Sequence, residues 1–154
     1  AKLTCAHARR GVRRLSSAAA AGKKIGLMTW GEGKQGQLGI GDQETQFFPT
    51  VVDDEMLDGE TIASVHCGPE SSALITESGR LFTWGSPGEY RLTGHKEDGI
   101  KTVPTEVPYF KGKTVTDISL SQSTTFVTTD DGDVWSWGDC TLHAQDGGDT
   151  TEPA

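Results

Sequence analysis

Leu81-Phe82-Thr83-Trp84-Gly85 is one of three versions of the same five residues in this chain. Leu27-Met28-Thr29-Trp30-Gly31 precedes it and Val134-Trp135-Ser136-Trp137-Gly138 follows it, with the Trp-Gly pairs at 30–31, 84–85 and 137–138 almost evenly spaced. Alternate residues of a strand face opposite ways. Read as strands, one face carries Met28 and Trp30, Phe82 and Trp84, Trp135 and Trp137. The other carries an aliphatic residue and a small hydroxyl: Leu27 and Thr29, Leu81 and Thr83, Val134 and Ser136. A bulky face and a small face recurring at a fixed interval are what stacked sheets of equal shape require.

The residues between the tryptophan strands repeat as well. Pro49-Thr50 matches Pro104-Thr105, Ile62-Ala63-Ser64-Val65-His66 matches Val115-Thr116-Asp117-Ile118-Ser119, and Ser72-Ala73-Leu74-Ile75-Thr76 matches Thr125-Phe126-Val127-Thr128-Thr129. Ser78-Gly79 and Asp131-Gly132 then lead directly into a tryptophan strand, placing glycine where a tight hairpin needs positive φ. The unit, repeating from Trp30 to Trp84 to Trp137, therefore consists of short strands closed by a hairpin, with no helical periodicity. A period of about 50 residues made of strands predicts propeller blades.

Trp30-Gly31-Glu32-Gly33-Lys34-Gln35-Gly36-Gln37-Leu38-Gly39-Ile40-Gly41, with Pro49-Thr50, Ser64-Val65-His66-Cys67-Gly68 and Ala73-Leu74-Ile75-Thr76 at their spacings, resembles the repeat of the regulator of chromosome condensation family. The first repeat, about 26–80, resembles it closely. The second, about 81–133, has Tyr90-Arg91-Leu92-Thr93 where the first has Gly36-Gln37-Leu38-Gly39, and a third opens at Val134. Where the family has a histidine after the Cys-Gly step, this chain has Ser71 and Thr124. The resemblance implies an all-β, incomplete β-propeller of about two four-stranded blades plus a fragment over 25–138, with residues 139–154 as a degenerate repeat or tail. Family propellers close with seven blades, so the chain is expected to be part of a longer protein or to be completed by another subunit.

Charge divides the chain. Residues 1–24 hold seven bases (Lys2, Arg9, Arg10, Arg13, Arg14, Lys23 and Lys24) and no acid, whereas positions 25–154 hold all 22 acids against seven bases. The body has no reason to attract nucleic acid, but the arm has. An acid-free segment rich in Arg, Ala and Ser reads as a mitochondrial targeting extension. An arm touching RNA or DNA through Arg9, Arg10, Arg13, Arg14, Lys23 and Lys24, and a plain solvated tail, are the alternatives. Localisation follows the same division: mitochondrial, or nuclear as the alternative.

Nothing in the sequence assembles a reaction centre. Gly31-Glu32-Gly33-Lys34-Gln35-Gly36 follows a strand but opens no βαβ unit, so a blade turn accounts for it better than a dinucleotide site. The acids from Asp53 to Glu60 lack calcium-loop spacing. Cys140 and His143 have no second pair of zinc ligands, and three cysteines at wide spacing imply no disulfide framework. No apolar run is long enough to span a bilayer. No cofactor is expected. Trp30, Trp84, Trp135 and Trp137 are expected to pack blades together, with an exposed binding platform as the alternative.

The function these observations imply is a non-catalytic scaffold or interaction subunit whose partners are the proteins that complete or cover the blades. The resemblance implies a second function, nucleotide exchange on a small GTPase, which the family's founding member performs through loops of a whole propeller.

Overall fold

The computed structural model describes residues 26–139. Among these residues nine strands form three antiparallel sheets: β1 (Met28–Gly31) with β2 (Gln46–Val51); β3 (Ile62–Cys67), β4 (Ser71–Thr76), β5 (Leu81–Gly85) and β6 (Lys101–Glu106); and β7 (Val115–Leu120), β8 (Thr124–Thr129) and β9 (Val134–Gly138). One sheet is a full four-stranded blade, and two and three strands flank it. Among the described residues no helix is long and apolar enough to cross a membrane.

Blade boundaries do not coincide with repeat boundaries. The first repeat gives β1 and β2 to one sheet and β3 and β4 to the next. The chain is thus stitched across each gap, so neighbouring blades are joined covalently as well as by packing. The hairpins form as the Ser-Gly and Asp-Gly steps require. Gly79 has φ +86 with the Thr76 N–H donating to the Arg80 carbonyl, and Gly132 has φ +92 with Thr129 and Asp133 in the same relation.

Two apolar clusters fill the spaces between sheets. Trp84 and Phe82 pack with Leu74 and Leu57, and Leu27, Met56 and Ile62 lie against them. Trp137 packs with Val127, Val115 and Ile118 of its own sheet and with Ala73, Ile75 and Leu81 of the sheet before. Large rings of one blade therefore sit on the small and aliphatic face of the preceding blade, as the alternation of the tryptophan strands predicts. A fully buried large side chain contributes on the order of 1.5–3 kcal/mol, so these two seams carry much of the fold.

The four tryptophans differ in burial. Trp84 and Trp137 are fully buried, and Trp135 is partly buried against the second cluster. Trp30 is 51% exposed. Its strand belongs to the first sheet, and no described sheet precedes that one to cover its ring.

Candidate functional site

The two seams are built from the same polar device. The Gln37 carbonyl, on the loop after β1, accepts hydrogen bonds from Ser72 Oγ at 2.9 Å and Trp84 Nε1 at 2.9 Å. The Leu92 carbonyl, on the loop after β5, accepts from Thr125 Oγ1 at 2.8 Å and Trp137 Nε1 at 3.1 Å. A buried indole N–H must find an acceptor or carry the cost of an unmade bond. Here one carbonyl of the preceding blade satisfies an indole and a hydroxyl together, which fixes the stacking register. Thr29 Oγ1 donates to the Leu38 carbonyl at 2.7 Å, and Thr83 Oγ1 donates to the Thr93 carbonyl at 2.6 Å.

These matched bonds correct the alignment of the second repeat. Gln37-Leu38-Gly39 corresponds to Leu92-Thr93-Gly94, so Gly36-Gln37-Leu38-Gly39 matches Arg91–Gly94, one residue later than Tyr90–Thr93. Arg91 takes the left-handed conformation of Gly36, with φ +53 against +71. That conformation costs a side-chain-bearing residue about 1–2 kcal/mol, and it concealed the match. Glycine remains where it is indispensable, since a Cβ at Gly39 would lie 2.7 Å from Trp84 Nε1.

Beyond the seams, the first sheet bares a surface of the kind buried within them. Met28, Trp30 and Val51 are more than half exposed, and Phe47 and Phe48 of β2 are almost wholly so. Met28 pairs with Val51 and so shares its face. The third sheet exposes Phe126 and Val134, which hold the register positions of Ala73 and Leu81 in the middle blade. Large apolar side chains left exposed on the outer sheets are candidate contact residues.

Among the described residues, the titratable groups that come together form contacts between strands. Ser64 Oγ lies 2.9 Å from His66 Nε2, and Asp117 Oδ1 lies 3.9 Å from that same nitrogen. A relay needs the nucleophile and the orienting carboxylate on opposite ring nitrogens, so the three residues make a contact between β3 and β7. Arg80 is likewise fully engaged. It holds Glu106 through two bonds of 2.9 Å, Glu60 at 3.2 Å and Asp58 at 3.3 Å, and lies over the Phe82 ring. The Arg80 guanidinium keeps the Glu106 carboxyl below its ordinary range. Among the described residues no group of three or more His, Cys, Asp or Glu side chains could hold a metal ion. Cys140 and His143 lie outside the described residues, as do Arg9, Arg10, Arg13, Arg14, Lys23 and Lys24.

His95 is a packing histidine with a readable tautomer. The single proton of Thr83 Oγ1 goes to the Thr93 carbonyl, so His95 Nε2, 2.9 Å from that oxygen, is the donor. Burial pushes the His95 and His66 pKa values below the ordinary 6.5. The unfolded chain then binds these protons more readily than the fold does. Stability is complete above the unfolded value and falls as pH drops through about 6.5 toward the folded values. Urea midpoints are expected to decline from pH 7.5 to 5.0, and His95→Gln is expected to flatten that decline while lowering stability at pH 7.5. An unchanged decline in the variant would remove His95 from the account.

Comparison with known proteins agrees with the geometry. The model of the regulator of chromosome condensation (RCC1) repeat matches residues 26–75 and 78–128. The chain is similar to the human E3 ubiquitin-protein ligase HERC2, 34% identical over 81% of this chain and 2% of that protein. It is also similar to two Arabidopsis thaliana proteins. These are the ultraviolet-B receptor UVR8, at 33% identity over 73% of this chain and 25% of the receptor, and the mitochondrial RCC1 domain-containing protein RUG3, at 32% over 73% and 24%. The chain thus spans a quarter or less of these relatives. Among solved structures, human WBSCR16 superposes with a TM-score of 0.69 at 19% identity over 86% of this chain and 35% of that one. Prp20p of Saccharomyces cerevisiae, solved in a study of its binding to Gsp1p and histones, superposes with a TM-score of 0.63 at 18% identity over 73% and 28%.

Proposed function

The chain belongs to the regulator of chromosome condensation repeat family, and from that premise we propose that it works as a non-catalytic protein-interaction module within a larger assembly. The observation that carries this reading is the exposed surface of the first sheet. Met28 and Trp30 stand at the positions of Phe82 and Trp84, which the middle blade buries; Val51 pairs with Met28 and shares its face, and Phe47 and Phe48 of the same sheet are exposed as well. A propeller of this family contributes shaped surface, and these residues are an apolar part of it that lies open. An aromatic flanked by apolar neighbours is the usual anchor of a protein contact. Mitochondrial placement of the assembly draws on the acid-free basic arm and on the likeness to RUG3.

The test places a photo-crosslinking amino acid at Phe48 and, as a control, at exposed Glu55, and irradiates the full-length chain in native extract. A discrete protein adduct is expected from position 48, absent from position 55 and lost when Trp30→Arg is added. No adduct at 48, or equal adducts at both positions, would sink the reading.

A second reading, exchange on a small GTPase, is favoured by the likeness in fold to Prp20p, whose structural study concerned Gsp1p. Exchange works by wedging loops against a nucleotide pocket, so it needs no catalytic side-chain set. Release of labelled GDP from a panel of small GTPases separates the two. Acceleration by the chain supports exchange, and none at high concentration leaves the interaction reading alone.

A further inference from the structure

We propose that the cleft between the β3–β4 turn, the loop after β5 and the β7–β8 turn receives an arginine side chain from a basic segment of a partner protein. The cleft has a volume of about 420 Å³, and its lining includes Glu70, Ser71, Glu89, Tyr90, Leu92 and Gln122. A cavity of that size is in the range of small-ligand sites, so it has room for one long side chain. Its walls come from two neighbouring sheets and are held by backbone bonds. The Gly68 N–H donates to the Ser71 carbonyl at 2.8 Å and closes the β3–β4 turn. The Ser86 N–H donates to the Glu70 carbonyl at 2.9 Å and ties the loop after β5 to that turn. Gly85 permits this approach, because a Cβ there would collide with the Glu70 carbonyl oxygen. The Leu92 N–H donates to the Pro87 carbonyl at 2.8 Å and closes the loop that carries Glu89 and Tyr90.

Chemistry names the occupant. The lining holds two carboxylates, Glu70 and Glu89, and no base. Neither carboxylate forms an ion pair with a described residue. Arg91, the base of the same loop, is held by Asp98 at 2.9 Å and does not line the cleft. Glu70, Glu89 and Tyr90 are exposed, whereas Ser71 and Leu92 are buried, so the acids and the ring stand at the rim and the serine at the floor. Ser71 is 3% exposed, and its Oγ forms no hydrogen bond with any described residue. A buried hydroxyl without a partner carries an unmet desolvation cost, which a donor entering the cleft relieves. An arginine meets all three features. Its planar guanidinium stacks on an aromatic ring, forks onto carboxylates and keeps further N–H donors for a hydroxyl. A lysine ammonium is a compact point charge that matches the carboxylates alone. The surrounding body, with 22 acids against seven bases over positions 25–154, draws a basic segment toward it. The inference deepens the interaction reading by naming the partner's chemistry. It uses no residue of the first sheet, so a failed crosslink there and failed binding here are distinguishable.

Amide chemical shifts of the full-length chain, titrated with defined probes, test the proposal. The probes are the end-capped peptide Gly-Ser-Arg-Ser-Gly, its citrulline and lysine counterparts, and free arginine. The arginine peptide is expected to shift the Ser71, Gly88 and Tyr90 amides saturably. It is expected to bind about tenfold more tightly than the citrulline peptide, which has the same shape without the charge. A Glu70→Gln, Glu89→Gln double variant is expected to abolish that advantage, with unchanged β5 amide shifts showing that the blades remain folded. Glu44→Gln, at an exposed carboxylate that does not line the cleft, is expected to leave it intact. Ser71→Ala is expected to weaken the arginine peptide about threefold. Equal affinity for the arginine and citrulline peptides would overturn the proposal, as would an advantage that survives the double variant. Shifts spread over the acidic surface and not centred on the cleft would overturn it too. Equal binding of the lysine peptide would remove the guanidinium from the account, and tighter binding of free arginine than of the peptide would assign the cleft to a small molecule and overturn the protein partner.

Discussion

Trp84→Ala is expected to lower stability by about 3–5 kcal/mol, and Trp30→Ala by less than about 1 kcal/mol. Both tryptophans occupy the same place in the same repeat, and only their surroundings differ. Trp84 is fully buried, packs on Leu74 and Leu57, and gives its indole N–H to the Gln37 carbonyl. Its removal opens a cavity at the seam and takes one of two donors from a buried acceptor. Trp30 is half exposed, so truncation removes little buried area. Trp84→Phe is expected to fall between them, because it keeps one packed ring while losing the indole bond and the volume of the second ring. A loss of about 1–3 kcal/mol is expected for it. Urea midpoints at constant slope report the difference. Equal losses for Trp84→Ala and Trp30→Ala would mean that Trp30 is covered in the free chain, which would withdraw the surface on which the interaction reading rests.

That contrast also marks how far the sequence could be read. Periodicity places Met28 and Trp30 on the same face as Phe82 and Trp84, because side-chain direction in a strand is local. Burial is not local. Whether a ring is covered depends on a neighbouring sheet, and the first tryptophan strand has no described sheet in front of it. Strand content, hairpin positions and the opposition of bulky and small faces were all legible, each set by residues within a few positions of one another. The carbonyls that lock the seams were not, since any residue carries a carbonyl and no side chain identifies those of Gln37 and Leu92. The one sequence signal was the glycine two positions on, at 39 and 94. In the second repeat that signal was obscured by Arg91, a non-glycine residue in a left-handed conformation. The basic residues of the arm were legible only as composition, and they lie outside the described residues.

Those glycines carry the second large prediction, a graded series in which position alone decides the cost. Gly39→Ala is expected to destabilise by about 2–5 kcal/mol, combining the left-handed backbone with overpacking of a filled seam. Its φ is +72, and a Cβ there would meet the Trp84 ring at 2.7 to 3.1 Å. A ring clamped between two blades cannot rotate away, and any retreat stretches the bond to Gln37 that sets the register. Gly94→Ala is expected to cost about 1–3 kcal/mol. Its φ of +73 is nearly the same, but the Cβ would stand 3.1 to 3.3 Å from Trp137 and Val107, a gap that a small shift of the ring relieves. Gly88→Ala has φ +61 and open space around the new methyl group, so only the backbone term of about 1 kcal/mol remains. The order Gly39, Gly94, Gly88 is the test, read from urea midpoints of the three variants. If all three cost the same, backbone conformation alone explains the glycines and the close approach to the tryptophan rings carries no weight. If Gly39→Ala stands apart, Trp84 near-ultraviolet circular dichroism should weaken in that variant alone. The seam then depends on a carbonyl and a bare α-carbon two positions apart, a requirement that a repeat can meet with almost any side chains around it.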